Sequence, residues 1–146
     1  MSWLLPLPAV VPLLAAAVNI AGDHVLPRRV GDSIGLAASV ATCVFTFWIA
    51  ADSMNHDVLH WFGGWHPDGG VAIGIAFTAD PLGAGMAALV SLLVLLVLTY
   101  STVYLADAGR PYDTLILVFL GAMCGFSLTG DLFNMFVWFE LMGVAA

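Results

Sequence analysis

Long runs of apolar residues separated by short polar stretches make up most of this chain. There are five such runs, which cover about Trp3 to Ile20, Ser33 to Ala51, Asp80 to Leu105, Tyr112 to Leu128, and a last one from Asp131 onward. About 20 helical residues cross the ~30 Å hydrocarbon core of a bilayer, so the first four runs are long enough to span it. Because lipid offers no hydrogen-bonding partner to an open backbone, each run is predicted to be an α-helix.

Prolines and aspartates indicate where these helices begin. Three prolines lie in the first half of the first run: Pro6, Pro8 and Pro12. The first helix is therefore predicted to be irregular or to begin late. Asp80 followed by Pro81 gives an N-cap acceptor and a proline at the first helical position. Asp131 is placed to cap the fifth helix in the same way.

The composition agrees with a membrane protein. Of the 146 residues, 62% are hydrophobic and 9% are charged, and the mean hydropathy is +1.02. A soluble domain carries about 25% charged residues to face water, so a soluble enzyme is excluded. The net charge of −7 comes from acids scattered through loops and helix ends, and the bases form no cluster beyond Arg28 and Arg29, which excludes a nucleic-acid surface. We predict an all-α membrane protein of about five transmembrane helices.

The connection between the second and third helices, from Asp52 to Thr78, differs in composition from the apolar runs. Trp61 and Trp65 suit the headgroup level of a membrane. Three apolar residues alternate with smaller ones, as is typical of a strand: Val71, Ile73 and Ile75. The sequence therefore predicts a short β-hairpin-like loop on the outer surface between helices 2 and 3.

Histidines in this connection raise the question of a metal ion. On a helix, Asp52, His56 and His60 would share one face and could bind zinc or copper, with His66 nearby. A membrane-bound enzyme would need such a site. Two glycines soon after His60 argue against a helix here, and we predict neither a metal site nor a cofactor in this chain.

Polar and sulfur-containing side chains inside the runs are predicted to pack. Two cysteines, Cys43 and Cys124, are expected to be buried free thiols. Four further residues are expected to form interhelical hydrogen bonds, namely Asn19, Ser91, Ser127 and Asn134.

The basic residues predict the orientation. Arg28 and Arg29 lie between helices 1 and 2, and Arg110 lies between helices 3 and 4. All three fall on one side, which the positive-inside rule makes cytoplasmic, so the N-terminus is expected outside. We predict a multi-pass protein of a bacterial-type inner cell membrane.

The fifth run is short. It has 16 residues from Asp131 to Ala146, about 24 Å of helix. We expect residues 1–146 to be the N-terminal part of a larger polytopic transmembrane domain, truncated in helix 5.

Glu140, the only glutamate in the sequence, lies in this fifth run. It is about 13 Å beyond Asp131 along the helix axis, near the middle of the hydrocarbon. Its helical face carries apolar residues and a glycine: Phe133, Phe136, Val137, Gly143 and Val144. An ionisable group at this depth costs about 2.5–3.5 kcal/mol by insertion scales. It is either a proton-relay carboxylate or a protonated glutamate hydrogen-bonded to a neighbouring helix.

The stretch TGDLFNMFVWFELMGVAA, from Thr129 to Ala146, resembles a signature of the antiporter-like membrane subunits. These occur in the membrane arm of respiratory complex I, in related membrane-bound hydrogenases and in multisubunit Na⁺/H⁺ antiporters. Five residues match the signature as they stand: Asp131, Phe133, Asn134, Trp138 and Glu140. The motif looks most like the antiporter D-type subunit and is similar to the M- and N-type subunits of complex I. GGW, then AD-P-L, then LTYSTVYLADAG are similar to the family's outer hairpin and third helix.

The resemblance implies a function. Glu140 would belong to the ion-transfer path, supported by Asp131, Asn134 and Trp138, and paired with a lysine on a later helix. The partners would be the lipid bilayer, other membrane subunits of a hetero-oligomeric complex, protons and, in an antiporter, Na⁺. Any redox chemistry, as in NADH-quinone oxidoreductase, would belong to other subunits. The alternative is a small structural or assembly membrane protein in which Glu140 only anchors helix packing.

Overall fold

Five α-helices and one two-stranded sheet follow one another in the computed structural model, which describes residues 2–25, 27–64, 66, 74–105 and 109–146. The helices are α1 (Leu7–Ala21), α2 (Arg28–Ser53), α3 (Pro81–Tyr104), α4 (Gly109–Ser127) and α5 (Leu132–Ala145). The strands are β1 (Val58–Trp61) and β2 (Ala76–Ala79), and they pair antiparallel between α2 and α3. The predicted helical fold with a hairpin between helices 2 and 3 is confirmed.

The first helix begins late, as its prolines predict. A 3₁₀ turn covers Ser2–Leu4, and α1 starts only at Leu7. Pro12 lies inside the helix and is buried. Pro6 is the N-cap residue and Pro8 lies in the first turn of α1, where the missing proline N–H costs no helical hydrogen bond.

The lengths of the helices separate them into two groups. In the part of the chain that the structure describes, three stretches are long and apolar enough to cross a membrane: Ser2–Ala21, Arg28–Ser53 and Pro81–Tyr104. Two apolar helices are shorter, Pro111–Ser127 and Leu132–Ala145. The fourth run was predicted to span fully, but its apolar helix rises about 26 Å, a little less than the hydrocarbon core.

Helix α4 is the centre of the bundle. It packs against α1, α3 and α5, while α2 packs against α1 and α3. Leu117, Leu120 and Cys124 of α4 are fully buried. A Cβ at Gly121 would lie 2.8 Å from Leu13 Cγ and 2.9 Å from the Ala9 carbonyl oxygen. Small residues at such positions allow membrane helices to approach closely, so glycine here sets the spacing of α1 and α4.

Hydrogen bonds between helices supplement this packing. The hydroxyls of Thr46 and Ser91 are 2.7 Å apart, joining α2 to α3. Asn19 Nδ2 donates to the Gly31 carbonyl at 3.3 Å, joining α1 to α2. The predicted interhelical bonds of Asn19 and Ser91 are thus confirmed. Of the two cysteines, Cys124 is buried and Cys43 half-buried, and both are free.

The hairpin closes one end of the bundle, which we call the hairpin end; the opposite end, where Arg28 begins α2, is the arginine end. Ala76, Phe77 and Ala79 of β2 are buried. The backbone of β2 also bonds to the turn between α4 and α5, because Thr78 N donates to the Leu128 carbonyl at 2.8 Å. The predicted strand residues Val71 and Ile73, and the interfacial Trp65, lie outside the described residues, and Ile75 just precedes β2.

Replacing Gly121 with alanine should destabilise the bundle by about 1–3 kcal/mol, the usual cost of overpacking. The added methyl would press on Leu13 and on the Ala9 carbonyl. Thermal unfolding of the detergent-solubilised protein measures the change. Gly85→Ala in α3 is the matched control, since a Cβ there meets nothing within 4 Å. Equal melting temperatures for the two variants would contradict the close α1–α4 contact.

Candidate ion-transfer helix

Helix α5 begins at a carboxylate with two structural partners. Asp131 Oδ1 accepts a hydrogen bond from Asn134 N at 2.7 Å, which is the predicted N-cap. Its Oδ2 accepts from Ala76 N at 3.1 Å. Asp131 therefore caps α5 and also ties it to β2, a contact that the sequence did not reveal.

Asn134 lies one turn further along and is buried. Its Nδ2 donates to the Thr129 hydroxyl at 2.9 Å. Thr129 in turn forms an isolated antiparallel bridge with Phe77 of β2. The predicted hydrogen bond of Asn134 is present, but its partner is the α4–α5 turn rather than a neighbouring helix.

Trp138 packs α5 onto α4 and the hairpin. Its ring lies directly over Gly125, where any Cβ would collide with it. It also meets Phe77 edge-to-face, with ring centroids 6.3 Å apart and planes at 81°. The Nε1 atom is buried and has no hydrogen-bond acceptor within the described residues. The fit of the Trp138 ring against Gly125 and Phe77 therefore fixes the rotation of α5 about its own axis.

Glu140 lies on the other side of the helix. At 3.6 residues per turn, it is about 180° from Asp131, whereas Trp138 is only about 20° away from Asp131. The Glu140 side chain is exposed, and it has no hydrogen bond or ion pair with any described residue. Of the candidate residues, the structure brings Asp131, Asn134 and Trp138 together on one face and separates Glu140 from them.

The face of α5 around Glu140 is uncovered and strongly apolar. Four large side chains on it are exposed: Phe133, Phe136, Val137 and Val144. The predicted shared face is therefore confirmed, and no described part of this chain covers it. In hydrocarbon, a carboxyl group on such a face would be costly without a partner.

A second carboxyl group within the helices is buried, which the sequence did not reveal, although its place near a helix end agrees with the predicted distribution of the acids. Asp113 in the first turns of α4 is buried, and the Ser101 hydroxyl of α3 donates to it at 3.1 Å. At the same end, Arg28 Nε lies 3.8 Å from Asp32 Oδ2. This contact has a signal in the sequence: Asp113 lies at the start of an apolar run, and Ser101 lies near the end of the previous helix.

The histidines of the connection do not gather around a metal position. His56 Nε2 lies 3.9 Å from Asp52 Oδ2, but His60 belongs to β1 and leaves the helical face of the other two. Within the described ranges, no group of three or more histidine, cysteine or acidic side chains is arranged to hold a metal ion.

These features define a class: a multi-pass α-helical membrane protein whose fifth helix carries a lone carboxyl group on an uncovered face. Residues 65–114 match the family described as NADH-ubiquinone oxidoreductase (complex I), chain 5 N-terminus. The D-type subunit of a probable K⁺/H⁺ antiporter from Rhizobium meliloti (strain 1021) is 32% identical over 148 aligned positions. That alignment covers 98% of this chain and 27% of the relative.

Two solved structures contain chains that are similar to this one. The Mrp complex from Dietzia sp. DQ12-45-1b contains a chain 31% identical to this one, with a TM-score of 0.70 over 97% of this chain and 26% of that chain. A chain of the archaeal membrane-bound sulfane sulfur reductase has the same fold, with a TM-score of 0.79 at 22% identity over 99% of this chain and 29% of that one.

The chain is homologous over nearly its whole length to the antiporter-like membrane subunits shared by multisubunit cation/proton antiporters and complex I, as its motifs predicted. It spans about a quarter of the length of these relatives.

Replacing Thr129 with valine should destabilise the start of α5. The change removes the acceptor of the buried Asn134 amide, and an unsatisfied buried donor costs about 1–3 kcal/mol. Thermal unfolding in detergent measures it. Thr99→Val is the control, because the Thr99 hydroxyl is exposed and bonds only within its own helix, to the Leu95 carbonyl at 2.8 Å. A Thr129→Val protein as stable as this control would refute the assignment of the bond.

Proposed function

We propose that this chain is part of a proton- or cation-translocating subunit of a multisubunit membrane complex, with Glu140 as an intramembrane proton-transfer carboxyl group. The observation that carries the proposal is the position of Glu140. It is exposed on an apolar face of α5, opposite the face that packs on α4 and the hairpin. A carboxyl group in hydrocarbon normally faces a bundle interior or a water-filled path and has a partner there.

The chemistry follows from two opposing influences on the carboxyl group. An apolar environment favours its neutral, protonated form, and a cation close by favours the carboxylate. A partner that approaches and withdraws would therefore make Glu140 release and reload one proton in each cycle. The reaction needs no cofactor, since only a proton moves.

The cation for this cycle comes from outside these 146 residues. The sequence contains no lysine, and its three arginines lie toward the arginine end, at Arg28, Arg29 and Arg110. None of these positions is near the middle of α5 along the bundle. A lysine or arginine on a helix that covers the Glu140 face would complete the site.

The relatives support the proposal and suggest the coupled ion. The similar Rhizobium protein is described as belonging to a K⁺/H⁺ antiporter, and the similar Dietzia chain is part of an Mrp complex. The family model of residues 65–114 refers to complex I. Cation/proton exchange in a hetero-oligomeric complex is therefore our first assignment, with redox-driven proton pumping as the second.

Glu140→Gln should abolish proton translocation, because glutamine keeps the volume and hydrogen bonding but cannot ionise. We expect flux in vesicles carrying the intact complex to fall at least about 100-fold, the scale of losing a positioned proton-transfer group. Wild-type flux that depends on Na⁺ or K⁺ would assign an antiporter, and flux that depends on quinone reduction would assign a redox pump.

Asp57→Asn provides the control for this experiment, since it neutralises an exposed carboxyl group outside the helices. Complex assembly is quantified in both variants. Normal assembly with unchanged flux in Glu140→Gln would sink the proposal, and Glu140 would then be an anchor for helix packing.

We also propose that the arginine end faces the cytoplasm, because all three bases lie toward it. A membrane-impermeant maleimide should then label Met54→Cys in intact cells and label Val25→Cys only after lysis. Both positions are highly exposed, Met54 at 73% and Val25 at 82%. Met54 follows the last residue of α2 at the hairpin end, and Val25 precedes α2 at the arginine end. The wild type is the blank, since Cys43 and Cys124 lie inside helices. The reverse labelling pattern would invert the topology.

A further inference from the structure

One face of α5 packs against the rest of the described chain, and the other carries the exposed Glu140. Asp131 and Trp138 are two turns apart on the same face, and Glu140 projects from the opposite one. Contacts on the first face therefore decide where Glu140 points and how deep it lies. This follows because the 3.6-residue period of one continuous helix fixes the angles between its side chains.

The first fixed point is at the start of the helix. Asp131 Oδ2 accepts from Ala76 N at 3.1 Å, and Gly130 N donates to the Ala76 carbonyl at 2.8 Å. Both polar groups of the Ala76 backbone are thus bonded to the two residues that precede α5. Ala76 has no exposed surface, so water does not replace these bonds.

The second fixed point lies two turns along. The ring of Trp138 fills the space left by Gly125 on α4, and its edge-to-face neighbour is Phe77 of β2. Phe77 also bridges to Thr129 in the turn before α5. Strand β2 therefore contacts α5 at both fixed points, once through its backbone and once through a side chain.

From these contacts we infer that β2 fixes the depth and rotation of α5, and that Asp131 is a positioning residue for Glu140. The inference rests on the proposed function, because it concerns the placement of the proposed proton-transfer group. A displacement of about 1 Å at a reacting group can reduce a rate by about 100-fold. Small changes at the hairpin end should therefore alter the position of Glu140, although none of the described hairpin residues touches it.

The Asp131→Asn variant removes the hydrogen bond to Ala76 of β2 and keeps the N-cap of α5. The amide oxygen of asparagine still caps α5 at Asn134 N, because asparagine is as good an N-cap as aspartate. The amide nitrogen cannot accept from Ala76 N, so only that bond is lost. Asp80→Asn is the matched control: Asp80 caps α3 through Gly83 N at 2.6 Å.

Gly125→Ala disturbs the second fixed point without touching a polar group. The new methyl group would collide with the Trp138 ring and push α5 away from α4. Gly85→Ala is its control, as a Cβ there meets nothing within 4 Å. This second variant keeps the test decisive if Asp131→Asn does not assemble.

The position of Glu140 is measured in the intact complex with a membrane-soluble carbodiimide, which reacts with protonated carboxyl groups in apolar surroundings. Mass spectrometry of the Glu140 peptide gives the labelling rate for each assembled complex, with Glu140→Gln as the blank. A merely structural loss would lower the amount of complex and leave this rate unchanged.

In Asp131→Asn and Gly125→Ala we expect the labelling rate to differ from that of the wild type, because the surroundings of Glu140 change, and the flux to fall by about 10- to 100-fold. Asp80→Asn and Gly85→Ala should match the wild type. Wild-type labelling rates in the assembled Asp131→Asn and Gly125→Ala complexes would overturn the inference. The proposed function fails separately, if Glu140→Gln leaves flux unchanged, since the labelling rate reports position and needs no transport.

Discussion

The carboxylate of Asp131 joins two parts of the chain that are 55 residues apart, and the placement of α5 depends on it. One oxygen satisfies a free N–H group in the first turn of α5, and the other satisfies the buried N–H of Ala76. Leaving either donor unsatisfied would cost about 1–3 kcal/mol. The neighbouring bonds of β2 to Leu128 and Gly130 make this end of the bundle a continuous hydrogen-bonded unit.

Two carboxyl groups within the helices show how differently the fold treats an acid. Asp113 is buried near the arginine end, where the Ser101 hydroxyl donates to it. Glu140 has neither a donor nor a cation among the described residues, and it lies well inside the apolar α5. Among the described residues, the carboxyl group near the arginine end is thus hydrogen-bonded, and the one in the middle of α5 is not.

Local chemistry explains which predictions held. The caps at Asp80 and Asp131 were predictable, because a cap depends only on residues within one helical turn. The late start of α1 followed from the fixed backbone of proline. The hairpin was predicted in its place, but β1 was not identified as a strand, and β2 starts after the alternation that suggested it. Strand pairing joins distant residues, so a local pattern indicates it weakly.

The sequence by itself determined that this is a helical membrane protein similar to antiporter-like subunits, with a glutamate on an apolar helical face. These follow from the length of apolar runs, the residue types and the 3.6-residue period. Only the tertiary structure decided which face of α5 is covered. It placed Trp138 against Gly125 and Asp131 against Ala76, and left Glu140 exposed. These contacts link residues far apart along the chain, and their geometry depends on how whole helices pack rather than on any local pattern.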